Sequence, residues 1–307
     1  MTELFVRQLA TLGARIRGVS SAATRRWLLG AVGAGLVLGV GVFTFAPPAV
    51  DAVLPAETPA VVRLLSETAG WTYFVCWSVS FWPQVVLNLR RRDVDGLSVD
   101  FLVLNVCGFA AYAAFNVLLF FPTEVRSAYE EHHGSPPAVH ANDVLFAVHA
   151  LVMTIVSLFQ SYLYDSGDGW FHRRVWPATL ALCAVGGIAV VVAVAAPCGV
   201  GGPLVLLDVL SAIKVATSMV KYAPQLAENH ARSSTTGFSF SQVVLDATGS
   251  VLSVLQLLLD AIVLRSWRIV RGNPAKLLLG VVSLAYDGML AFQHVSYGGE
   301  DIDEPLL

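Results

Sequence analysis

Residues 81–100 read FWPQVVLNLRRRDVDGLSVD, and residues 221–240 read KYAPQLAENHARSSTTGFSF. Each stretch places a Pro-Gln pair and an asparagine in an apolar segment, and each continues into a polar joint that contains Gly-x-Ser. One such stretch could arise from composition alone. Two at matching spacing indicate an internal repeat, and this repeat organises the rest of the chain.

An offset of 141 residues aligns the two copies without a gap. Seven pairs of polar or special residues then coincide: Pro83 with Pro224, Gln84 with Gln225, Asn88 with Asn229, Gly96 with Gly237, Ser98 with Ser239, Asn105 with Asp246, and Gly108 with Gly249. Proline and glycine recur in any membrane helix, but this many matches in one register argue against chance.

The composition indicates a membrane protein. Of the 307 residues, 56% are hydrophobic and only 13% are charged, whereas soluble domains carry about 25% charged residues. Apolar runs of about 20 residues separated by short polar joints predict transmembrane helices. We therefore predict an all-α polytopic protein of the lipid bilayer. The net charge of −3 gives no indication of a nucleic-acid partner.

The chain divides into an N-terminal region, seven apolar segments and a short tail. Residues 1–63 contain a basic stretch, an apolar run at 27–46 that resembles a signal anchor, and a Pro-rich linker. Seven further apolar segments follow, at about 64–89, 97–121, 142–164, 176–196, 203–228, 238–264 and 274–294.

The positions of the two copies predict the topology. An even number of spans separates the first Pro-Gln segment from the second, so both point the same way and the repeat is parallel. We predict two parallel three-helix bundles, residues 64–164 and 203–297, joined by a connector helix within 165–202. Residues 298–307 form the tail.

Basic residues in the joints predict the orientation. The joint after the first segment and the joint before the fourth both carry arginines, namely Arg90, Arg91, Arg92, Arg173 and Arg174. These joints fall on one face, which we assign to the cytosol together with the C-terminus. The joint at 265–272 is an exception, because it is basic and falls on the opposite face.

The Pro-Gln pair suggests a hinge with a polar face. A proline inside a helix removes one backbone hydrogen bond and produces a kink, so Pro83 and Pro224 are candidate hinges. In hydrocarbon the freed carbonyl needs a partner, and Gln84 or Gln225 can supply an amide donor to it or to a solute. A purely structural kink is the alternative for either copy alone.

Ionisable residues at membrane depth are costly and usually functional. Asp246 and Asp287 lie within the last two apolar segments, and Asp100 lies near the start of the second. A carboxylate in a poorly hydrated cavity takes up a proton more readily than one in water. Lys214 and Lys221 are seven residues apart and share one helix face. The alternative to proton transfer is a permanent Asp–Lys pair that only orders the helices.

These segments resemble the PQ-loop transporters, and more closely their cystine-exporting branch. The resemblance lies in the two Pro-Gln stretches with their following helices and in GNPAKLLLGVVSLAYDGMLAFQH at 272–294. It extends over residues 71–294 and is less distinctive around the third and fourth segments. It implies proton-coupled export of cystine from an acidic lysosome or vacuole into the cytosol.

The resemblance also implies roles for single residues. Asp246 and Asp287 match protonatable carboxylates, and Asp100 matches a further coupling or gating acid. The residues that match the polar substrate-binding positions are Gln84, Lys221, Gln225, Asn229 and Lys276, and Lys214 and Gln242 are further candidate substrate contacts. Two departures stand out. Gln242 replaces an asparagine of that branch, and a short Pro-rich linker stands where its animal members have a large glycosylated luminal region.

The C-terminal DIDEPLL contains a candidate sorting signal. Asp303, Leu306 and Leu307 match the acidic dileucine pattern that clathrin adaptors bind on cytosolic tails. A short motif of this kind also occurs by chance.

Three alternatives to cystine export remain at this point. The same scaffold could carry cationic amino acids, carry another small solute such as a sugar, or act as a pH-dependent receptor that transports nothing. No nucleophile–base pair, metal-ligand spacing or phosphate-binding glycine loop indicates an enzyme, so we expect no cofactor or metal and regard the proton as the coupling ion.

Overall fold

The computed structural model describes residues 21–45, 54, 57–133, 139, 141–165, 175–195, 202–263 and 274–298. Every regular element among these residues is a helix. The helices are α1 (Ala22–Phe45), α2 (Ala60–Arg91), α3 (Val99–Phe120), α4 (Thr123–His133), α5 (Ala141–Tyr164), α6 (Pro177–Ala195), α7 (Gly202–Val220), α8 (Tyr222–Arg232), α9 (Phe240–Val263) and α10 (Pro274–Tyr297).

Six helical stretches of the described part are long and apolar enough to cross a membrane: 22–44, 99–120, 143–164, 177–195, 203–232 and 240–263. The protein is therefore an all-helical polytopic membrane protein, as the composition predicted. The apolar run near the N-terminus is one of the six. The predicted set of seven helices in two three-helix bundles stays a prediction.

Two local features differ from the expected segments. The fifth segment is divided at Lys221, where α7 ends and α8 begins. Pro224 accounts for the break, because it has no N–H for the carbonyl of Val220 and its ring crowds that carbonyl. A short helix, α4, occupies the joint that follows α3.

The chain forms two compact units. Unit A comprises residues 1–97 and 226–307, and unit B comprises residues 98–225. In unit A, α2 packs against α1 and α9, and α9 packs against α10. In unit B, α3 packs against α5 and α7, and α6 packs against α7. Unit A thus joins α2, which contains the first Pro-Gln pair, to α9 of the second copy, and unit B joins α3 of the first copy to α7, which precedes the second Pro-Gln pair.

Helix α1 packs closely on α2 through small residues. A Cβ atom added at Gly35 would collide with the backbone of Thr72, and one at Gly39 would lie 2.6 Å from the Cα of Thr68. At the other end of α1, Thr24 Oγ1 and Ser241 Oγ of α9 are 2.9 Å apart. Small residues spaced four apart let two helix backbones approach closely in a membrane, so α1 is an integral part of unit A.

Candidate functional site

The side chain of Gln84 binds the second copy of the repeat. Its Oε1 accepts a 2.7 Å hydrogen bond from the Ser239 N–H, and its Nε2 donates to Gly237 O at 2.9 Å and to Asn88 Oδ1 at 2.8 Å. The first N–H groups of a helix lack intrahelical partners. Ser239 directly precedes α9, so Gln84 satisfies one of these groups from a different helix.

Gln225 makes the equivalent contact in unit B. This residue is fully buried, and its Oε1 accepts a 2.8 Å hydrogen bond from the Ser98 N–H. Ser98 is the N-cap of α3, and its own Oγ accepts from the N–H of Phe101 at 3.4 Å. The glutamine of each copy therefore caps the second helix of the other copy. A substrate contact for either glutamine stays a prediction.

Two turns of unit A, at Asp95–Gly96 and at Thr236–Gly237, approach each other closely at their glycines. Gly96 and Gly237 both have φ of 96°, a left-handed value that glycine adopts at little cost. A Cβ at Gly96 would collide with the Thr236 carbonyl oxygen, and a Cβ at Gly237 would collide with the Asp95 carbonyl oxygen. The contacts are reciprocal, which explains why both copies need glycine here.

The backbone around these turns repeats as well. Arg92 and Ser233, which coincide in the repeat, are the two non-glycine residues with positive φ in the described part of the chain, at 49° and 48°. The preceding Arg91 and Arg232 each donate from Nη1 to the carbonyl four residues on, at 3.3 and 3.1 Å. The repeat inferred from sequence is therefore a repeat of backbone conformation.

The two prolines lie in different local settings. Pro83 is inside α2, which continues without interruption from residue 60 to residue 91. Pro224 occupies the first turn of α8, a position where the missing N–H costs little. The predicted hinge function of both residues stays a prediction.

Asp246 lies between α2 and α10 in unit A. Ser283 of α10 donates to its Oδ2 at 3.4 Å, and Trp77 of α2 donates to its main-chain oxygen at 3.2 Å. The side chain is half-buried. Asp287 lies one turn after Ser283 on α10 and is 2% exposed. A second carboxylate, which is buried, therefore lies on the helix that binds the first.

Asp100 has a capping role in unit B. It stands in the first turn of α3 and is 2% exposed. Its Oδ1 accepts a 2.8 Å hydrogen bond from the Trp176 N–H, which directly precedes α6. The N-terminus of α3 also favours a negative charge at this position. The carboxylate thus connects the starts of two helices, and any coupling role comes in addition to that.

Lys214 of α7 and Lys221, the residue that directly follows α7, share an aromatic environment in unit B. Lys221 Nζ donates to Asn105 Oδ1 at 3.2 Å and lies 4.6 Å from the ring centre of Tyr222. Lys214 Nζ lies 4.0 Å from the ring centre of Phe109, within the range of a cation–π interaction. Both lysines are half-buried.

Asn229 pairs with a residue that sequence reasoning missed. Its Nδ2 donates to Gln293 Oε1 at 3.0 Å, and Gln293 Nε2 donates to Leu226 O at 2.9 Å. The contact joins α8 to α10 within unit A. Gln293 lies outside the repeat, so no matching copy marked it in the sequence.

Of the five remaining predicted residues, the structure describes the side chain of one, Gln242. Gln242 is half-buried on α9, one turn before Asp246. Lys276 belongs to the first turn of α10, but its side chain is outside the described residues, as is the sorting motif at 303–307.

A buried polar contact near the start of α2, far from its Pro-Gln pair, was not predicted from the sequence. Ser66 donates from Oγ to Asp260 Oδ1 at 2.7 Å, and Gln256 Nε2 donates to the Ser66 carbonyl at 2.9 Å. Asp260 is 5% exposed. The partners are 194 residues apart in sequence, and no local pattern relates them.

Comparison with known proteins identifies the repeat. The PQ loop repeat family matches residues 65–125 and 206–264, the two stretches that contain the aligned copies. The chain is also 40% identical over 237 residues to a cystinosin homolog of Caenorhabditis briggsae, a match that covers 76% of this chain and 57% of the relative.

Two further relatives differ in length and in identity. A cystinosin homolog of Arabidopsis thaliana is 37% identical over 259 residues, which is 78% of this chain and 93% of the relative. A protein of Saccharomyces cerevisiae named cystine transporter is 27% identical over 207 residues, which is 63% of this chain and 78% of the relative.

Proposed function

The chain belongs to the cystinosin family of PQ-loop proteins, and from this premise we propose that it exports L-cystine together with protons from the lumen of a lysosome or vacuole to the cytosol. The single observation that supports cystine as the substrate is the similarity to a relative named cystine transporter and to relatives named cystinosin homolog. As a membrane carrier, the protein would move its substrate without chemical change.

The charges of the two units suit a zwitterion. Cystine carries an ammonium and a carboxylate at each end, so its recognition requires both cationic and anionic or amide groups. In unit B, Lys221 and Asn105 present an ammonium group beside an amide. In unit A, Asp246 and Ser283 present a carboxylate beside a hydroxyl. Lys221 and Asn105 are proposed as a cystine-binding position of unit B, and Asp246 and Ser283, with Gln242 and Lys276, as one of unit A.

The proposed coupling depends on Asp246 and Asp287. A proton taken up from an acidic lumen neutralises a carboxylate at membrane depth, which removes the cost of moving a buried charge. A bound proton shifts the equilibrium between the lumen-facing and cytosol-facing states only if it binds more tightly to one of them. Loss of the proton to the cytosol then favours the return of the empty carrier.

The same resemblance supports alternating access by seven helices in two parallel bundles joined by α6. In this proposal Pro83 and Pro224 are the hinges, and the glutamine caps on Ser239 and Ser98 hold the ends of the moving helices. A cytosolic C-terminus would expose Asp303, Leu306 and Leu307 to clathrin adaptors.

The test is uptake of labelled cystine by cells that express the protein without Leu306 and Leu307. Loss of these two residues should move the protein to the plasma membrane. Extracellular acid then replaces the acidic lumen, so uptake should rise as pH falls. Asp246→Asn should abolish this rise. Asp208→Asn is the matched control, because Asp208 is exposed on α7.

Three outcomes would contradict parts of the proposal. Equal cystine uptake at neutral and acidic pH would exclude proton coupling. Transport of arginine or lysine without cystine would indicate a carrier of cationic amino acids. Binding of cystine without uptake would indicate a receptor.

A further inference from the structure

Two cysteine thiols from different helices are in contact in unit B. Cys107 of α3 and Cys183 of α6 have their Sγ atoms 3.1 Å apart, although 76 residues separate them in the chain. Both are free thiols and both are half-buried. The proposed transport mechanism uses neither of them.

The surroundings of the two thiols are apolar. Both side chains pack against Val99, Val103 and Val175. A thiol in such a site behaves as a small hydrophobic group and makes few competing hydrogen bonds. Sulfur atoms in a disulfide are about 2.05 Å apart, so a bond requires the two atoms to approach by only about 1 Å.

We propose that Cys107 and Cys183 form a redox-active dithiol that closes to a disulfide, with a small-molecule disulfide of the cystine class as its oxidant. The pair is thus a modification site that joins α3 to α6. Two neighbouring thiols can complete an exchange that a single thiol would leave as a mixed disulfide.

The exchange proceeds in two steps. One thiolate attacks a sulfur of the small disulfide, which forms a mixed disulfide and releases one small thiolate. The second thiolate then attacks the protein sulfur of the mixed disulfide and releases the other small thiolate. The two protons lost by the cysteines go to the released thiolates, so one small disulfide becomes two small thiols and the protein dithiol becomes a disulfide. Excess thiol reverses both steps.

The bond would constrain the helix that carries a proposed substrate contact. Asn105, the partner of Lys221, precedes Cys107 by two residues on α3. A covalent link from α3 to α6 should hinder any movement between these helices. This consequence rests on the proposed function, whereas formation of the bond does not.

The first experiment measures the bond without measuring transport. Full-length protein is reduced, freed of reductant and incubated in detergent with cystine. It is then quenched in acid, denatured and labelled with a maleimide. Mass spectrometry should find Cys107 and Cys183 unlabelled to equal extents and joined in one cross-linked peptide, while Cys76 is fully labelled. Dithiothreitol should restore both labels.

Single variants and a second oxidant separate the possible results. Cys107→Ala or Cys107→Ser should abolish the cross-link, and Asp246→Asn, which lies in the proposed transport site, should leave it unchanged. Full labelling of both cysteines after cystine treatment would overturn the proposal. So would a cross-link that forms with diamide but not with cystine, because the oxidant class would then be wrong.

The second experiment tests the consequence for transport. Cystine uptake by oxidised protein in liposomes should fall in proportion to the cross-linked fraction and recover with dithiothreitol, while Cys107→Ser should resist the oxidant. Full uptake by completely cross-linked protein would show that the bond forms but does not control transport. Failure of the reduced protein to transport cystine would contradict the proposed function and not the bond.

Discussion

Gln84 Oε1 accepts a hydrogen bond from the Ser239 N–H at 2.7 Å, so the Pro-Gln motif of the first copy caps the helix of the second copy. The two partners are 155 residues apart in the sequence, and the end of one repeat and the start of the next lie between them. Gln225 and Ser98 make the equivalent contact in unit B. The most distinctive residue of the motif is thus a connector between copies.

Replacement of Gln84 by leucine should destabilise the protein by about 1–3 kcal/mol for each buried polar group left without its partner. The groups affected are the Ser239 N–H and the Gly237 carbonyl. Thermal unfolding in detergent measures the loss. Gln242→Leu is the control, because this half-buried side chain should cost no more than about 0.5 kcal/mol. Equal melting temperatures for the two variants would contradict the capping role.

Alanine at Gly96 or Gly237 should reduce stability more than alanine at other glycines. Both positions combine a left-handed φ with a collision against a carbonyl oxygen, and the strained backbone alone costs about 1–3 kcal/mol.

Two control glycines separate these contributions. Gly298 has φ of 78° but open space around a Cβ, and helical Gly187 has open space. Gly298→Ala should therefore show only the backbone cost, and Gly187→Ala should be neutral or stabilising. Thermal unfolding gives the order of the four variants. If Gly298→Ala lowered the melting temperature as much as Gly96→Ala, the close approach of the two turns would make no separate contribution to stability.

Helix α1 should remain bound to unit A after the chain is cut between α1 and α2. A protease site placed in the linker at residues 47–56 allows the cut, and a C-terminal tag then tests whether the N-terminal fragment co-purifies. Gly35→Leu and Gly39→Leu should release the fragment, because their side chains would collide with Thr72 and Thr68.

The matched controls lie on the same helix. Gly33→Leu and Gly41→Leu add the same bulk where a Cβ meets nothing within 4 Å, and the fragment should stay bound. Release by the control variants as well would indicate that added bulk anywhere on α1 disturbs its insertion into the membrane.

Ser66 and Asp260 should show a coupling energy in a double-mutant cycle. A hydrogen bond to a charged group contributes about 1.5–3 kcal/mol, so Ser66→Ala should lose about that amount in the wild type and little in the Asp260→Ala background, which has no acceptor. Chemical or thermal unfolding of the four proteins gives the coupling. Additive effects would show that the 2.7 Å contact makes no net contribution.

The sequence by itself determined the class of protein and the conformation of the repeated turns. Apolar segments of membrane length require helices, because backbone groups in hydrocarbon have no water to bind. The repeat also marked Gly96 and Gly237, since glycine is the residue that adopts a left-handed turn at little cost. Such features depend on neighbours in the chain, so a repeated pattern reveals them.

Only the tertiary structure decided which residues meet across the chain. That Gln84 caps Ser239, that Lys221 binds Asn105 and that Asp260 binds Ser66 depends on which helices pack together and at what rotation. Many polar residues of this chain could form equivalent pairs, and their spacing does not choose among them. The choice is made by side-chain packing of whole helices, which brings these buried polar groups to their partners.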